Sequence, residues 1–274
     1  MSKVWFITGS ARGLGRSISE AVLAAGDVVV ATARDTRQLQ PLVGKYEGRV
    51  YALKLDVTQH ADITAAVESA VSHFGRIDVL VNNAGFGIIG AAEAYSEEDV
   101  RSQLEINLYG PIAITRAIMP YMRKQRSDRI IQISSTGGRV SSPGLSIYQA
   151  AKFGLAGFSE ALAKEAAPFG IWVTVAEPGG MRTGMMESMA CAPMIEGYED
   201  TVGARIALFK GEKALSIGDP VKVARSIVEL ADHPAPPLHL VLGSDAVRRV
   251  KQADTAKAAE MEKWLELSYS VDAG

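Results

Sequence analysis

The chain has 274 residues, of which 47% are hydrophobic and 22% are charged, with a formal net charge of -2. This balance is typical of a globular protein and lacks the basic excess of nucleic-acid binders and polybasic membrane anchors. Cys191 is the only cysteine, which excludes an internal disulfide, and the four histidines lack metal-ligand spacing. No apolar run reaches the length of a membrane span, and the N-terminal segment does not have the pattern of a signal peptide. We therefore expect a soluble, cytoplasmic protein with no metal, no nucleic acid and no membrane as partners.

Seven short apolar runs alternate with longer helical patterns such as Ala61–Phe74 and Asp99–Leu108. The runs do not alternate polar with apolar residues, which is typical of strands buried on both faces of a parallel sheet. The pattern predicts an α/β fold in which residues 1–274 form a single Rossmann-type domain, a doubly wound parallel seven-stranded sheet with helices on both faces. The predicted strands are Val4–Thr8, Val28–Thr32, Val50–Leu55, Val79–Asn83, Arg129–Ser134, Ile171–Ala176 and Leu238–Leu242.

The segment from Gly179 to Gly218 interrupts this rhythm, because it is rich in methionine and small residues and shows no strand pattern. Insertions that follow the carboxyl end of a strand often cover the binding site. We predict a substrate lid at about residues 180–218, and its methionines favour an irregular apolar ligand. A tolerated surface insertion is the alternative. The polar tail Ala246–Leu267 is predicted to be helical.

A glycine-spaced loop, Thr8-Gly9-Ser10-Ala11-Arg12-Gly13-Leu14-Gly15, directly follows the first predicted strand and precedes a helix. Glycines at these positions permit a tight turn, a close backbone approach to a pyrophosphate and close packing of the helix on the strand. The amide groups and the dipole of the helix favour phosphate. A purely structural turn is the alternative, but the strand–loop–helix context predicts dinucleotide binding. The predicted contacts from this loop are Gly9, Ser10, Arg12, Gly13, Leu14 and Gly15.

The glycine spacing G-x-x-x-G-x-G is followed in order by Asn82-Asn83-Ala84-Gly85, Asn107, Ser134-Ser135, Tyr148-x-x-x-Lys152 and Pro178-Gly179. With these motifs the sequence resembles the three-glycine branch of the short-chain dehydrogenase/reductase family, from about Lys3 to Gly243. It is similar to hydroxysteroid dehydrogenase-like, retinol dehydrogenase-like and carbonyl reductase-like members. The resemblance implies an oxidoreductase that interconverts a carbonyl and an alcohol on a hydrophobic small molecule. It also implies a homodimer or homotetramer.

The resemblance places several further residues at the cofactor. An acidic residue at the end of the second strand would bind an adenosine ribose and repel a 2′-phosphate, and Thr32 takes this position. Arg12 and Arg34 provide guanidinium groups for a phosphate, so NADP(H) is the predicted cofactor. Asp35 is the counter-argument, but it follows Arg34 and is expected to point elsewhere. The further residues that the resemblance implies at the cofactor are Asp56, Val57, Asn83, Ala84, Gly85, Pro178, Gly179, Met181 and Thr183.

Tyr148 and Lys152 lie four residues apart in a predicted helix and therefore share a face. A nearby ammonium stabilises a phenolate, so we expect Lys152 to lower the pKa of Tyr148. By resemblance, Tyr148 is the general acid/base, and Lys152 also binds the nicotinamide ribose. The same resemblance implies that Ser135 would hold the substrate oxygen and that Asn107 would position a water that relays protons to Lys152. Ser134 is the alternative serine, but the thirteen-residue spacing to Tyr148 favours Ser135.

Two other functions stay open at this stage. A catalytically silent NADP(H)-binding sensor or scaffold would keep the glycine loop, but such proteins usually lose the tyrosine, lysine or serine. A sugar-nucleotide epimerase or dehydratase of the extended branch usually carries G-x-x-G-x-x-G and a larger C-terminal domain. The sequence favours the oxidoreductase over both.

Overall fold

The computed structural model of the protein describes residues 2–126, 128–181, 189–210 and 218–273. Its strands consist largely of buried apolar residues, because helices cover both faces of the main sheet. The strands in the described residues are β1 (Val4–Ile7), β2 (Val28–Ala33), β3 (Val50–Lys54), β4 (Val79–Asn82), β5 (Ile88–Ile89), β6 (Arg129–Ile133), β7 (Trp172–Pro178), β8 (Ala190–Cys191) and β9 (His239–Leu242).

Helices connect these strands and form the outer layers. The π-helical turn Glu105–Tyr109 connects the helix that ends at Leu104 to the helix that begins at Gly110, so that the two form one continuous helical segment. The α-helices are α1 (Gly13–Ala24), α2 (Gln40–Lys45), α3 (His60–Phe74), α4 (Glu97–Leu104), α5 (Gly110–Gln125), α6 (Ser146–Ala166), α7 (Ala204–Lys210), α8 (Pro220–Asp232), α9 (Ser244–Glu262) and α10 (Leu265–Tyr269).

The main sheet has seven parallel strands in the order β3-β2-β1-β4-β6-β7-β9. One core packs α3, α5 and α6 against one face, and a second core packs α1 and α8 against the other. The predicted doubly wound Rossmann-type fold is therefore confirmed. Strand order reverses between β1 and β4, and in such sheets ligands bind at the carboxyl ends of the strands beside this point.

The predicted lid contains more regular structure than we expected. Within its described residues, β8 pairs in parallel with β5, and Glu199–Gly203 and α7 follow as helical turns. The expectation of no strand was wrong, because a two-residue strand is too short to produce a recognisable pattern. The polar tail is helical, as predicted, and forms α9 and α10.

Two kinds of feature are absent from the described ranges of the chain. In these ranges no helix is both long and apolar enough to cross a membrane. The same residues contain no group of three or more histidine, cysteine, aspartate or glutamate side chains that could hold a metal ion.

Candidate active site

The glycine loop adopts a conformation that requires glycine at three positions. Gly9 and Gly13 have φ angles of +69° and +57°, in the left-handed region that side chains disfavour. A Cβ atom on Gly15 would overlap the carbonyl oxygen of Gly9 and the Nδ2 atom of Asn83. The loop therefore brings α1 against the end of β4 at a distance that only glycine permits.

The amino end of α1 has the features of an anion site. Its N-cap is Arg12, which makes no side-chain capping hydrogen bond, and the first turn contains no acidic residue. The first amide groups of a helix lack intrahelical partners and attract negative charge. The end of α1 therefore fits the pyrophosphate of a dinucleotide.

The side chains of Ser10 and Leu14 anchor the glycine loop to the core. Ser10 is fully buried, its amide donates to the Thr32 carbonyl at 2.9 Å, and its hydroxyl donates to the Ile7 carbonyl at 2.9 Å. The Leu14 side chain packs in the core between α1 and the sheet. These side chains hold the loop in place, and the cofactor contacts expected of Ser10 and Leu14 stay predictions.

Asn83 links the glycine loop to the carboxyl end of β4. Its Nδ2 donates to the Thr8 carbonyl at 2.9 Å and to the Gly9 carbonyl at 3.3 Å. In return, the Thr8 hydroxyl accepts from the amides of Asn83 and Ala84, each at 2.9 Å. Asn83 therefore fixes the turn, as expected for a residue at the border of the cofactor cleft.

The end of β2 corrects the role given to Thr32. The Thr32 side chain is buried, and its hydroxyl donates to the Ile7 carbonyl at 3.1 Å, so it faces the sheet interior. The strand continues to Ala33, which is the residue that ends it. Ala33 carries no carboxylate, so a 2′-phosphate meets no repulsion from either position.

Two arginines flank this strand end. The hydrogen bond from the Ser10 amide to the Thr32 carbonyl joins the loop to β2. Arg12 lies two residues after Ser10 in the sequence, and Arg34 lies two residues after Thr32. Both are exposed, and neither has a carboxylate partner among residues that the structure describes.

Asp35 points elsewhere, as expected. Its carboxylate accepts from the Arg37 amide at 3.0 Å and binds the Arg37 guanidinium at 2.8 Å. These hydrogen bonds hold the pKa of Asp35 below its ordinary value. Asp35 therefore caps the short helical turn that follows and is not available to a ribose.

Asp56 and Val57 follow β3 at the same edge of the sheet. Asp56 accepts from the amide and the hydroxyl of Thr58 at 3.0 and 2.8 Å, which orients its carboxylate. Val57 is buried, and its carbonyl lies 3.0 Å from the place where Gly110 would carry a Cβ atom. Both residues therefore lie just beyond the carboxyl end of β3, and their contact with the cofactor stays a prediction.

Ser135 and Tyr148 come together around Gly137. A Cβ atom on Gly137 would lie 3.3 Å from Cε1 of Tyr148 and 3.5 Å from Oγ of Ser135. The Ser135 hydroxyl also accepts from the Gly137 amide at 3.0 Å, which fixes its orientation. Ser134 is buried, and its hydroxyl would lie 2.7 Å from a Cβ atom on Gly138. The geometry therefore favours Ser135 over Ser134 as the serine beside the tyrosine.

Lys152 lies below Tyr148 in the same helix. Its Nζ donates to the Ile133 carbonyl at 3.0 Å and lies 5.8 Å from the centroid of the Tyr148 ring. Burial lowers the pKa of Lys152 to about 8. Burial also raises the pKa of Tyr148 above its ordinary value, and the Ser135 hydroxyl partly opposes this rise. The expectation of a lowered tyrosine pKa was therefore wrong for this structure, because desolvation dominates.

Asn107 lies in the π-helical turn between α4 and α5 and is fully buried. Its Nδ2 donates to the carbonyls of Phe86 and Gln103 at 2.8 and 2.9 Å. A Cβ atom on Gly85 would lie 2.8 Å from Oδ1 of Asn107 and 3.7 Å from Nζ of Lys152. Oδ1 of Asn107 and Nζ of Lys152 therefore both lie next to Gly85, and the proton relay between them stays a prediction.

The end of β7 forms the remaining wall of the cleft. Gly179 donates its amide to the Leu242 carbonyl at 3.0 Å, and a Cβ atom there would lie 2.6 Å from the Asp245 carboxylate. Pro178 is buried as the last residue of β7, and Met181 forms an isolated bridge to Gly218. Thr183, also predicted to bind the cofactor, lies outside the described residues.

The predicted lid segment approaches Tyr148 through Met189. A Cβ atom on Gly87 would lie 2.9 Å from Cε of Met189 and 3.4 Å from Cδ2 of Tyr148. Met189 packs with Ile89 and Leu145 in a small apolar cluster. Of the methionines in the predicted lid, Met189 therefore lies next to Tyr148, whereas the side chain of Met194 is half exposed.

Sequence reasoning missed the residues that shape the loop between Ser135 and Tyr148. Gln149 donates to the Val140 carbonyl at 3.0 Å and accepts from the Ser142 amide at 3.1 Å. The Tyr95 hydroxyl lies 2.9 Å from the Gly144 carbonyl oxygen. The position of Gln149 next to Tyr148 is a signal that could have been used, whereas the contact of Tyr95 is visible only in the fold.

A glycine loop at the switch point of a parallel sheet, next to a serine, tyrosine and lysine group, is typical of oxidoreductases that use a dinucleotide. Comparison with known proteins agrees with this class. The family model described as "short chain dehydrogenase" matches residues 3–192. The chain therefore belongs to the short-chain dehydrogenase family and is an oxidoreductase that acts on carbonyl and hydroxyl groups.

Individual relatives resemble this chain over most of its length. Oxidoreductase BOA17 of Botryotinia fuckeliana is 44% identical over 272 residues, covering 98% of this chain and 99% of that protein. The crystal structure of a short-chain dehydrogenase from Streptomyces avermitilis is 40% identical and covers 100% of both chains with a TM-score of 0.93. A 3-ketoacyl-(acyl-carrier-protein) reductase from Brucella melitensis, complexed with NADH, is 27% identical. It covers 87% of this chain and 96% of that chain with a TM-score of 0.74.

Proposed function

We propose that the protein is an NADP(H)-dependent oxidoreductase that interconverts a carbonyl and an alcohol on a hydrophobic small molecule, with Tyr148 as general acid/base. The observation that carries this proposal is the convergence of Ser135, Tyr148 and Lys152 at the carboxyl edge of the sheet. The amino end of α1, which has no acidic residue in its first turn, lies at this same carboxyl edge. A non-catalytic sensor has no need for a buried tyrosine and lysine around a hydrogen-bonded serine.

A bound nicotinamide supplies or accepts the hydride, and the side chains of this protein manage the proton and the substrate oxygen. The raised pKa of Tyr148 keeps its hydroxyl protonated at neutral pH, so it is ready to donate to a carbonyl oxygen. Ser135 holds the same oxygen and stabilises the charge that develops on it. Lys152, with a pKa of about 8, exchanges protons near neutral pH and can restore the tyrosine hydroxyl through the Asn107 side of the cleft.

The preference for NADP(H) rests on charge at the end of β2. Arg12 and Arg34 are exposed without carboxylate partners in the part of the chain that the structure describes, whereas the Asp35 carboxylate is bound to Arg37. Two guanidinium groups can bind a 2′-phosphate through charge-assisted hydrogen bonds. The Brucella reductase was complexed with NADH, so a nicotinamide cofactor is common to both proteins and the 2′-phosphate is the point to test.

The apolar surroundings of Tyr148 support a hydrophobic substrate. Met189 lies next to Tyr148 and packs against the buried residues Ile89 and Leu145. Methionine adapts to ligands of irregular shape. A homodimer or homotetramer is proposed through α5 and α6, where Gly154 and Gly157 are exposed, and light scattering after size exclusion would test it.

Oxidation of NADPH, followed by its absorbance, tests the proposed activity on a panel of ketones, aldehydes, quinones and steroids. We expect carbonyl-dependent consumption of NADPH and a higher kcat/KM for apolar members of the panel. Tight NADPH binding without consumption with any carbonyl would contradict the proposal and favour a sensor or scaffold.

A further inference from the structure

A shallow cavity, open to solvent, lies in the surface beside the loop that connects Ser135 to Tyr148. Its volume is about 380 Å³, and it is bounded by Ser141 and Ser142 of the loop, Arg205 of α7, and Arg249 and Gln252 of α9. All the side chains in this group that carry a charge are arginines. The catalytic residues described above do not line it.

The two guanidinium groups of this cavity lie close together without a counter-ion. Within the described ranges neither Arg205 nor Arg249 forms an ion pair, and Arg249 only donates to the Ser142 hydroxyl at 3.4 Å. The nearby carboxylate of Asp254 is bound to Arg139 at 2.6 Å. Burial lowers the pKa of Arg205, and the positive charge of Arg249 lowers it further. Two like charges in a partly buried cavity are unfavourable unless an anion joins them.

Two contacts link the elements that bound the cavity to those around Tyr148. Gln149 follows Tyr148 in the sequence. Its side chain donates a hydrogen bond to the Val140 carbonyl and accepts one from the Ser142 amide, and these two residues belong to the loop that lines the cavity. On the other side, Ile206 of α7 packs on the cluster that contains Met189. A group bound by Arg205 would therefore be attached to the same lid that reaches Tyr148.

We propose that Arg205 and Arg249 bind an anionic group, a carboxylate or a phosphate, at the far end of the substrate whose carbonyl is presented to Tyr148. The inference rests on the proposed function and narrows its substrate class to amphipathic molecules with an apolar body and an acidic end. Paired guanidinium groups suit such oxygens because they donate several parallel hydrogen bonds. Ser141, Ser142 and Gln252 add neutral polar groups around the same space.

A series of unbranched aldehydes with a terminal carboxylate, from short to long, tests this site against the corresponding methyl esters. Titration calorimetry with the full chain, with and without NADP⁺, measures binding in the absence of turnover. NADPH consumption measures kcat/KM. We expect one chain length at which the acid binds at least about tenfold more tightly than its ester. Arg205→Gln and Arg249→Gln should each weaken binding of this acid by about ten- to a hundredfold, the scale of a lost charge-assisted hydrogen bond.

Arg248→Gln is the matched control, because Arg248 is exposed on the same helix and does not line the cavity. It should leave acid and ester binding unchanged, and ester binding should be unchanged in all three variants. Equal binding of acid and ester at every length, or an acid preference that survives both cavity substitutions, would overturn the inference. Displacement of the acid by equimolar inorganic phosphate would overturn the assignment to substrate and indicate a site for free anions.

The two proposals fail in different ways in this experiment. Reduction of acids and esters with equal kcat/KM would leave the oxidoreductase proposal intact and overturn the anion site. Arginine-dependent binding of the acid without any NADPH consumption would support the anion site and contradict the proposed reaction.

Discussion

Lys152 is the buried lysine of the proposed catalytic group. Its replacement by methionine tests whether burial lowers the pKa of this side chain. Burial lowers its pKa from 10.5 to about 8. At a pH between these two pKa values, Lys152 is protonated in the unfolded chain and deprotonated in the folded chain. The free energy of unfolding therefore rises with pH in this range. Because one pKa unit corresponds to about 1.4 kcal/mol, the change amounts to roughly 3 kcal/mol, most of it gained between about pH 7 and pH 10.

Urea unfolding, followed by tryptophan fluorescence to which the buried Trp5 contributes, gives the free energy of unfolding for wild type and Lys152→Met across this pH range. We expect the wild type to gain about 2 to 3 kcal/mol relative to the variant as the pH rises. Titration of Tyr148 is common to both proteins and largely cancels in the difference. Lys164→Met, which changes an exposed lysine of the same helix, should give a curve parallel to wild type. Parallel curves for Lys152→Met would refute the reasoning.

Three further substitutions test the cleft. Arg34→Ala should weaken NADPH binding by about tenfold or more and leave NADH binding nearly unchanged in fluorescence titrations, since it removes a phosphate contact. Gly15→Ala should destabilise the fold by about 1–3 kcal/mol in urea and impair NADPH binding, whereas Gly44→Ala meets no atom within 4 Å and should do neither. Ser135→Ala should lower kcat by about a hundredfold without changing NADPH affinity. An equal loss of NADPH and NADH affinity in Arg34→Ala would contradict the first expectation, and equal destabilisation by Gly15→Ala and Gly44→Ala would contradict the second. A loss of NADPH affinity together with kcat in Ser135→Ala would contradict the third.

The central sheet was predictable because its strands are buried on both faces. Continuous apolar runs such as Val28–Thr32 identify such strands, and the structure moves their ends by only one or two residues. The pairing of β5 with β8 was not predictable, because two-residue strands have no period and their pairing joins distant parts of the chain. The π-helical turn at Asn107 likewise leaves no pattern in the sequence.

The site was predictable to the extent that short motifs define it. The spacing of Ser135, Tyr148 and Lys152 anticipates the group that the fold brings together. Spacing did not show that the Thr32 hydroxyl turns towards the Ile7 carbonyl, because side-chain direction depends on strand register. It also did not show that burial raises the pKa of Tyr148, since desolvation depends on the whole fold.

The proximity of the two cavity arginines was also not predictable from the sequence. Arg205 and Arg249 lie 44 positions apart in the sequence, on α7 and α9, and belong to no motif. Only the packing of the lid and the C-terminal helix against one loop brings them together.

The rate of a single turnover in Tyr148→Phe tests the central claim most directly. The substitution removes one hydroxyl and keeps the buried ring, so the fold and NADPH affinity should persist. With saturating NADPH and a carbonyl that the wild type reduces, rapid-mixing absorbance measures the rate of NADPH oxidation. We predict a decrease of about two to four powers of ten, the usual loss when a general acid is removed. A rate near that of wild type would contradict the account, because the proton would then have to come from a group other than Tyr148.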